Sequence, residues 1–125
     1  MKKILVTGGN KGIGLAIVEK ILETDDQTFV YLGSRNPDRG EEAKDLILKN
    51  NSNYKNRVET LTIDVSKEES ILKAKQRVEN EALADGKKLY AIVNNAGVML
   101  SESQLEEVLQ VNVHGIYQVS TKFLP

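Results

Sequence analysis

Thr7-Gly8-Gly9-Asn10-Lys11-Gly12-Ile13-Gly14 is the stretch on which the fold turns. Before it, Ile4-Leu5-Val6 is a short apolar run that reads as a buried strand. After it, Leu15, Ile17, Val18, Ile21 and Leu22 recur at helical spacing. A strand, a glycine turn and a helix start follow one another, the arrangement in which backbone N–H groups at a helix N-terminus can hold a phosphate. Gly8 lets the chain leave the strand in a tight turn. Gly12, without a Cβ, lets backbone approach a pyrophosphate closely, and Gly14 lets the helix pack near the strand. Taken alone, the same glycines also fit a turn that merely joins a strand to a helix. They are not a Walker A loop, because no Gly-Lys-Ser/Thr follows them.

Outward from this stretch, strand and helix alternate four times. The first strand covers about Lys3 to Val6. The first helix covers about Ile13 to Glu23 and is closed by the polar Thr24-Asp25-Asp26-Gln27. Thr28-Phe29-Val30-Tyr31-Leu32 is β-branched and aromatic, hence a second strand, which Gly33-Ser34-Arg35-Asn36-Pro37 breaks. The second helix enters at Pro37-Asp38, carries Ala43, Leu46, Ile47 and Leu48, and ends at Asn50-Asn51-Ser52-Asn53. Val58 to Ile63 alternates as a third strand. A third helix from Glu68 to Leu83 presents Ile71, Leu72, Ala74, Val78, Ala82 and Leu83. Leu89-Tyr90-Ala91-Ile92-Val93 is the fourth strand, and the last helix starts near Ser101 or Ser103, with Glu106 placed for a capping box, and runs to about Phe123. Such alternation predicts parallel strands with right-handed crossovers and helices on both faces. The continuous apolar runs of strands one and four suit central strands.

Composition narrows the function classes. A chain of 125 residues, 40% hydrophobic and 28% charged, is ordinary for one globular domain. Seventeen basic and eighteen acidic residues give a net charge of -1, which leaves no electrostatic footprint for nucleic acid or an acidic membrane. Without cysteine, disulfides, thiolate chemistry and Cys-based zinc sites are excluded. The apolar run after Met1-Lys2-Lys3 stops at Thr7, too early for a signal peptide, and no stretch is long enough to span a bilayer. A cytoplasmic location is the default expectation. His114, alone, makes neither a metal site nor a triad, and Tyr117 reads as a packing residue.

Four features in order now carry a resemblance. Thr7-Gly8-x-x-x-Gly12-x-Gly14, Asp64 after strand three, Asn94-Asn95-Ala96-Gly97 after strand four and Asn112 in the following helix together resemble the short-chain dehydrogenase/reductase family. The run from Arg35 to Gly40 and the fuller glycine string resemble its carbonyl reductase branch. The resemblance implies an α/β fold, a Rossmann-like doubly wound parallel sheet with strand order 3-2-1-4, truncated. It implies one NAD(P)-binding domain over residues 1–125, incomplete at the C-terminus. Gly8, Asn10, Lys11, Gly12, Ile13 and Gly14 would face Asn94, Ala96 and Gly97 across a crevice at the carboxyl ends of strands one and four. Asp64 and Val65 would lie by the adenine, although Asp64 equally suits an N-cap of helix three, with Ser66 as the alternative cap. Asn112 would order a water in a proton relay, or simply bond neighbouring backbone.

Charge bears on cofactor choice. A site for NAD usually carries an acid about 20 residues past the glycines, on the ribose 2′-OH. Strand two ends in Gly33-Ser34-Arg35 instead. An arginine fork pairs with a 2′-phosphate, and Arg39 and Lys11 add charge nearby, so NADP (NADPH) is favoured over NAD.

The chain also departs from the family. Four residues after Tyr31, Tyr54, Tyr90 and Tyr117 stand Arg35, Val58, Asn94 and Thr121, so no Tyr-x-x-x-Lys pair exists, and Tyr117 with Lys122 is one residue too widely spaced. The family's serine is absent too, leaving Asn112 as the single catalytic candidate. Two expectations follow: an NADP-dependent carbonyl or alcohol oxidoreductase represented by its cofactor-binding half and inactive alone, or a non-catalytic nucleotide-binding or interaction fragment complete as written. Strand four, apolar and without bulge or proline, and a last helix bearing Leu105, Val108, Leu109, Val113, Ile116 and Val119 are expected to promote self-association.

Overall fold

The computed structural model of the chain describes residues 1–96 and 115–123. Along it run β1 (Lys2–Val6), α1 (Gly12–Thr24), β2 (Thr28–Ser34), α2 (Pro37–Asn50), a 3-10 turn (Ser52–Tyr54), β3 (Val58–Thr62), α3 (Glu68–Asp85), β4 (Leu89–Val93) and α4 (Ile116–Phe123). The strands are parallel in the order β3-β2-β1-β4, as expected for a doubly wound sheet. The earlier part of the last predicted helix, with Glu106, Asn112 and His114, lies outside the described residues.

Strand alternation sorts the core into two layers. Leu5, Tyr31 and Leu61 face α3 and α4, where Ile71, Ala74, Val78 and Val119 meet them. Val6, Val30, Leu32 and Val58 face the opposite way, onto Val18 and Leu22 of α1 and Ala43 and Ile47 of α2. Each fully buried aliphatic side chain contributes about 1.5–3 kcal/mol. Pro37 in the first turn of α2 and Asn36 at its cap, whose Oδ1 accepts from the Arg39 amide at 3.1 Å, start that helix where the sequence places it.

Three expectations change. The apolar stripe of α3 is narrower than predicted: Ile71, Ala74 and Val78 are buried, but Leu72 is 44% and Leu83 86% exposed. Leu72 is turned about 100° from Ile71, off the sheet-facing side. Gly33-Ser34 does not break β2 but continues it, with Ser34 paired to Thr62. A Cβ on Gly33 would lie 2.8 Å from the Val6 carbonyl oxygen, so glycine lets β2 stay in the sheet here and the break falls at Arg35. Finally, the apolar β4 stands at the edge of the described sheet, and it is not regular. Lys3 pairs with Leu89 and Ile4 with Ala91, leaving Tyr90 without a register partner and 67% exposed. That irregularity blunts the edge that the sequence presents as plain.

At the amino ends of the strands, polar groups are closed within the chain. Lys3, 5% exposed, pairs with Asp85 at 2.8 Å. Arg57 donates to the carbonyl oxygens of Leu22, Asp25 and Thr28. The Tyr31 hydroxyl donates to Glu81 at 2.9 Å. Burial first, and then the Glu81 carboxylate, push its ionisation well above the ordinary range.

Candidate functional site

The carboxyl ends of β1 and β4 are stapled together by two short polar side chains. Thr7 Oγ1 accepts from the amides of Asn95 and Ala96 at 3.0 and 3.1 Å and donates to the Val93 carbonyl at 3.4 Å. Asn95 Nδ2 donates to the Gly8 carbonyl at 3.1 Å. The glycine loop and the Asn94–Ala96 stretch therefore face one another, as the strand order requires. Thr7 and Asn95 stand out in the sequence only as motif members. Both can bond backbone, but their partners lie 86 to 89 residues away in the chain.

Gly8 and Gly12 adopt φ of +60° and +56°, a region that side chains with a Cβ rarely occupy. Around a Cβ built on Gly12 there is open space within 4 Å, as an approaching ligand requires. Gly14 has a different task from the one expected. A Cβ there would collide with the Gly8 carbonyl oxygen and lie 2.5 Å from Asn95 Nδ2. The loop folds back onto Gly14, which serves loop closure rather than packing of the helix on the strand.

The loop delivers α1 with a bare N-terminus. Lys11 stands at the cap position, extended, with no side-chain cap bond, and the first turn holds no acid. The first N–H groups of a helix have no partner inside it and sit at the positive end of its dipole. The amides of Gly12, Ile13 and Gly14 are thus arranged for an anion. Exposed Lys11 and Ile13 and half-buried Asn10 border them.

Beside β3 and α3 lies a groove of about 520 Å³; Arg35, Asp64, Lys67 and Ser70 are among its lining residues, and no residue of the glycine loop is. Arg39 and Lys11 are exposed but do not line it. Asp64 caps nothing: its Oδ1 accepts from Ser66 N and Oγ at 3.0 and 2.6 Å in a local turn, while Lys67 takes the cap position of α3 without a side-chain bond. Ser66 is not the cap either. The Val65 side chain is 7% exposed and belongs to the core layer under α3. A Cβ on Gly115 would meet the Val65 carbonyl at 2.7 Å, so the segment entering α4 packs directly on this turn. Asn94 is exposed and its Nδ2 lies 3.5 Å from Ser120 Oγ. Gly97 and Asn112 lie outside the described residues.

The arrangement can receive an anion at the start of α1; among the described residues no tyrosine is placed as a general acid beside it. Tyr31, pushed up in pKa and held in the core, is the wrong tyrosine for proton transfer near neutral pH. Tyr117 is 64% exposed, so it is not the packing residue the sequence suggests, and Lys122 pairs with Glu68 at 3.3 Å. Among the described residues no group of three or more His, Cys, Asp or Glu could hold a metal ion, and no helix is long and apolar enough to cross a membrane.

Comparison with known proteins agrees with this geometry. A 3-oxoacyl acyl-carrier-protein reductase of Aquifex aeolicus is 35% identical, covering 98% of this chain and 49% of its own. A short-chain dehydrogenase/reductase of Talaromyces stipitatus is 28% identical, covering 99% of this chain and 47% of its own. The NADPH-bound carbonyl reductase from chicken fatty liver superposes with a TM-score of 0.79 at 28% identity, covering 100% of this chain and 51% of that one. The chain thus spans about half the length of these proteins. The family model for short chain dehydrogenase matches residues 2–125, and the chain belongs to that family of NAD(P)-using oxidoreductases.

Proposed function

We propose that this chain is the cofactor-binding half of an NADP-dependent carbonyl or alcohol oxidoreductase. One observation carries the reading: α1 begins bare beside the open Gly12, while β2, next to β1, is followed directly by Arg35 and not by an acid. The amides of Gly12, Ile13 and Gly14, with Gly8 and Asn10 shaping the loop, hold the pyrophosphate. Arg35 meets the 2′-phosphate as a fork, with Arg39 and Lys11 adding charge from either side. Asp64 and the Val65 backbone receive the adenine edge, Asn94, Ala96 and Gly97 line the riboses, and Asn112 orders a water for proton transfer. When bound, the nicotinamide supplies or accepts the hydride. That the chicken carbonyl reductase was solved with NADPH bound supports the same choice of cofactor.

The test is a titration of the chain with both reduced cofactors. NADPH is expected to bind at least about tenfold tighter than NADH, on the order of 1.4 kcal/mol, and Arg35→Ala to erase the difference. Equal affinities in the unmodified chain would overturn the reading. Because the 125 residues contain no Tyr-x-x-x-Lys pair, binding and turnover separate: the purified chain is expected to bind NADPH without oxidising it in the presence of aldehydes, ketones or quinones.

A further inference from the structure

We infer that Lys67 is a second cationic arm of the 2′-phosphate site, closing on it from the β3–α3 side opposite Arg35, and so a specificity-determining residue; this rests on the NADP reading above. Ser34 pairs with Thr62, and the Ile63 amide donates to the Ser34 carbonyl at 2.9 Å, so the segments leaving β2 and β3 run side by side. The Lys67 amide donates to the Asp64 carbonyl at 3.0 Å, a turn that brings Lys67 into the lining of the groove that Arg35 also lines. The other cations of that groove are already answered. Lys73 pairs with Glu69 at 3.6 Å, and Arg77 with Glu81 at 3.0 Å and with the Thr60 carbonyl at 2.7 Å. The carboxylates of Asp64, which accepts from Ser66, and of Glu69 line the groove as well. Among the described residues the Arg35 and Lys67 side chains have no hydrogen-bond or ion-pair partner. Both are exposed and both line the groove, so an anion that enters it can meet the two together. A phosphate monoester, carrying about −1.5 to −2 at neutral pH, is the group in NADP that NAD lacks. The pyrophosphate is accounted for at α1, so the charge that answers Arg35 and Lys67 together is the 2′-phosphate.

The experiment measures binding of 2′,5′-ADP and of 5′-ADP to the full chain by calorimetry. Lys67→Ala is expected to weaken 2′,5′-ADP about fivefold and leave 5′-ADP unchanged, with Lys67→Glu weakening it further and Lys67→Arg restoring it. The Lys67 side chain makes no bond within the described residues, so these variants keep the fold. An equal loss for both ligands, or no loss for either, overturns the inference. If Arg35→Ala weakens 2′,5′-ADP while Lys67→Ala does not, the inference falls and the NADP reading stands. If the unmodified chain binds both ligands equally, the NADP reading falls and takes Lys67 with it.

Discussion

At its carboxyl end α1 is closed by Arg57, whose guanidinium donates to the carbonyls of Leu22 and Asp25 at 3.1 and 2.5 Å, whereas at its amino end no side chain caps it. A similar contrast separates charged side chains at the two ends of the sheet, although Thr7 and Asn95 close the backbone where β1 and β4 end. On the side where the strands begin, Lys3 is buried against Asp85, and Arg57 also reaches the Thr28 carbonyl at 3.0 Å. On the side where they end, the α1 amides face outward and Arg35 and Lys67 stand unanswered among the described residues. An unmade hydrogen bond at a buried group costs about 1–3 kcal/mol, so a fold satisfies such groups wherever its own chain can reach. The end left open is the end where a ligand can complete the set. The glycines belong to this division too: they keep the open end free of side chains and let the two loops close on each other.

The largest expected effect breaks the open end. Gly14→Ala drives a methyl group into the Gly8 carbonyl and Asn95, which spreads the loops that Thr7 joins. Overpacking of this kind costs about 1–3 kcal/mol, and nucleotide affinity is expected to fall by more than about 100-fold, since the amides no longer converge. Thermal unfolding and cofactor titration together check it, and an alanine variant that binds like the parent would refute the role given to Gly14. Arg57→Met breaks the closed end. It leaves the Leu22, Asp25 and Thr28 carbonyls short of a donor and is expected to destabilise the chain by about 2 kcal/mol in denaturant melts, while the NADPH-to-NADH affinity ratio stays as it was. Arg35→Ala should do the reverse, changing the ratio with no more than about 0.5 kcal/mol in stability. Failure of the two variants to separate in this way would show that the ends are coupled.

The smallest effect is in acid. The Lys3 hydrogen bond and charge hold the Asp85 carboxyl below its ordinary range. Burial works to raise Glu59, but the Lys44 hydrogen bond and charge, with the Thr60 amide, outweigh it and hold Glu59 low as well. Unfolded Asp and Glu titrate near about 3.9 and 4.3. Both groups are depressed in the fold, so their contribution is full above about pH 5 and is lost as pH falls through the lower folded values. A melting profile against pH should therefore drop on the acid side. Asp85→Asn should melt earlier than the parent at neutral pH and converge with it in acid; a constant gap across the range would mean that Lys3 does not depend on the Asp85 charge.

Much of this is local in origin and was legible in the residues alone. Alternation of apolar positions over a few residues determines strand or helix, and four such repeats determine a parallel α/β sheet. The entrance of α2 was visible in Pro37-Asp38, whereas the Asn36 cap and the bare start of α1 at Lys11 appear only in the folded chain. What only the tertiary structure decided depends on residues distant in the chain. Gly33 stays in β2 because it has no Cβ to meet the Val6 carbonyl of the parallel neighbour, and Gly14 is required because Gly8 and Asn95 close over it. Tyr90 slips out of register only against β1, and Leu83 is exposed because the sheet-facing stripe of α3 ends at Val78. Arg57 finds the end of α1 from 35 residues away. A sequence states which side chains can donate, accept or carry charge. Which of them are answered within the fold, and which are left for a ligand, is a matter of distance, and distance between remote residues exists only once the chain is packed.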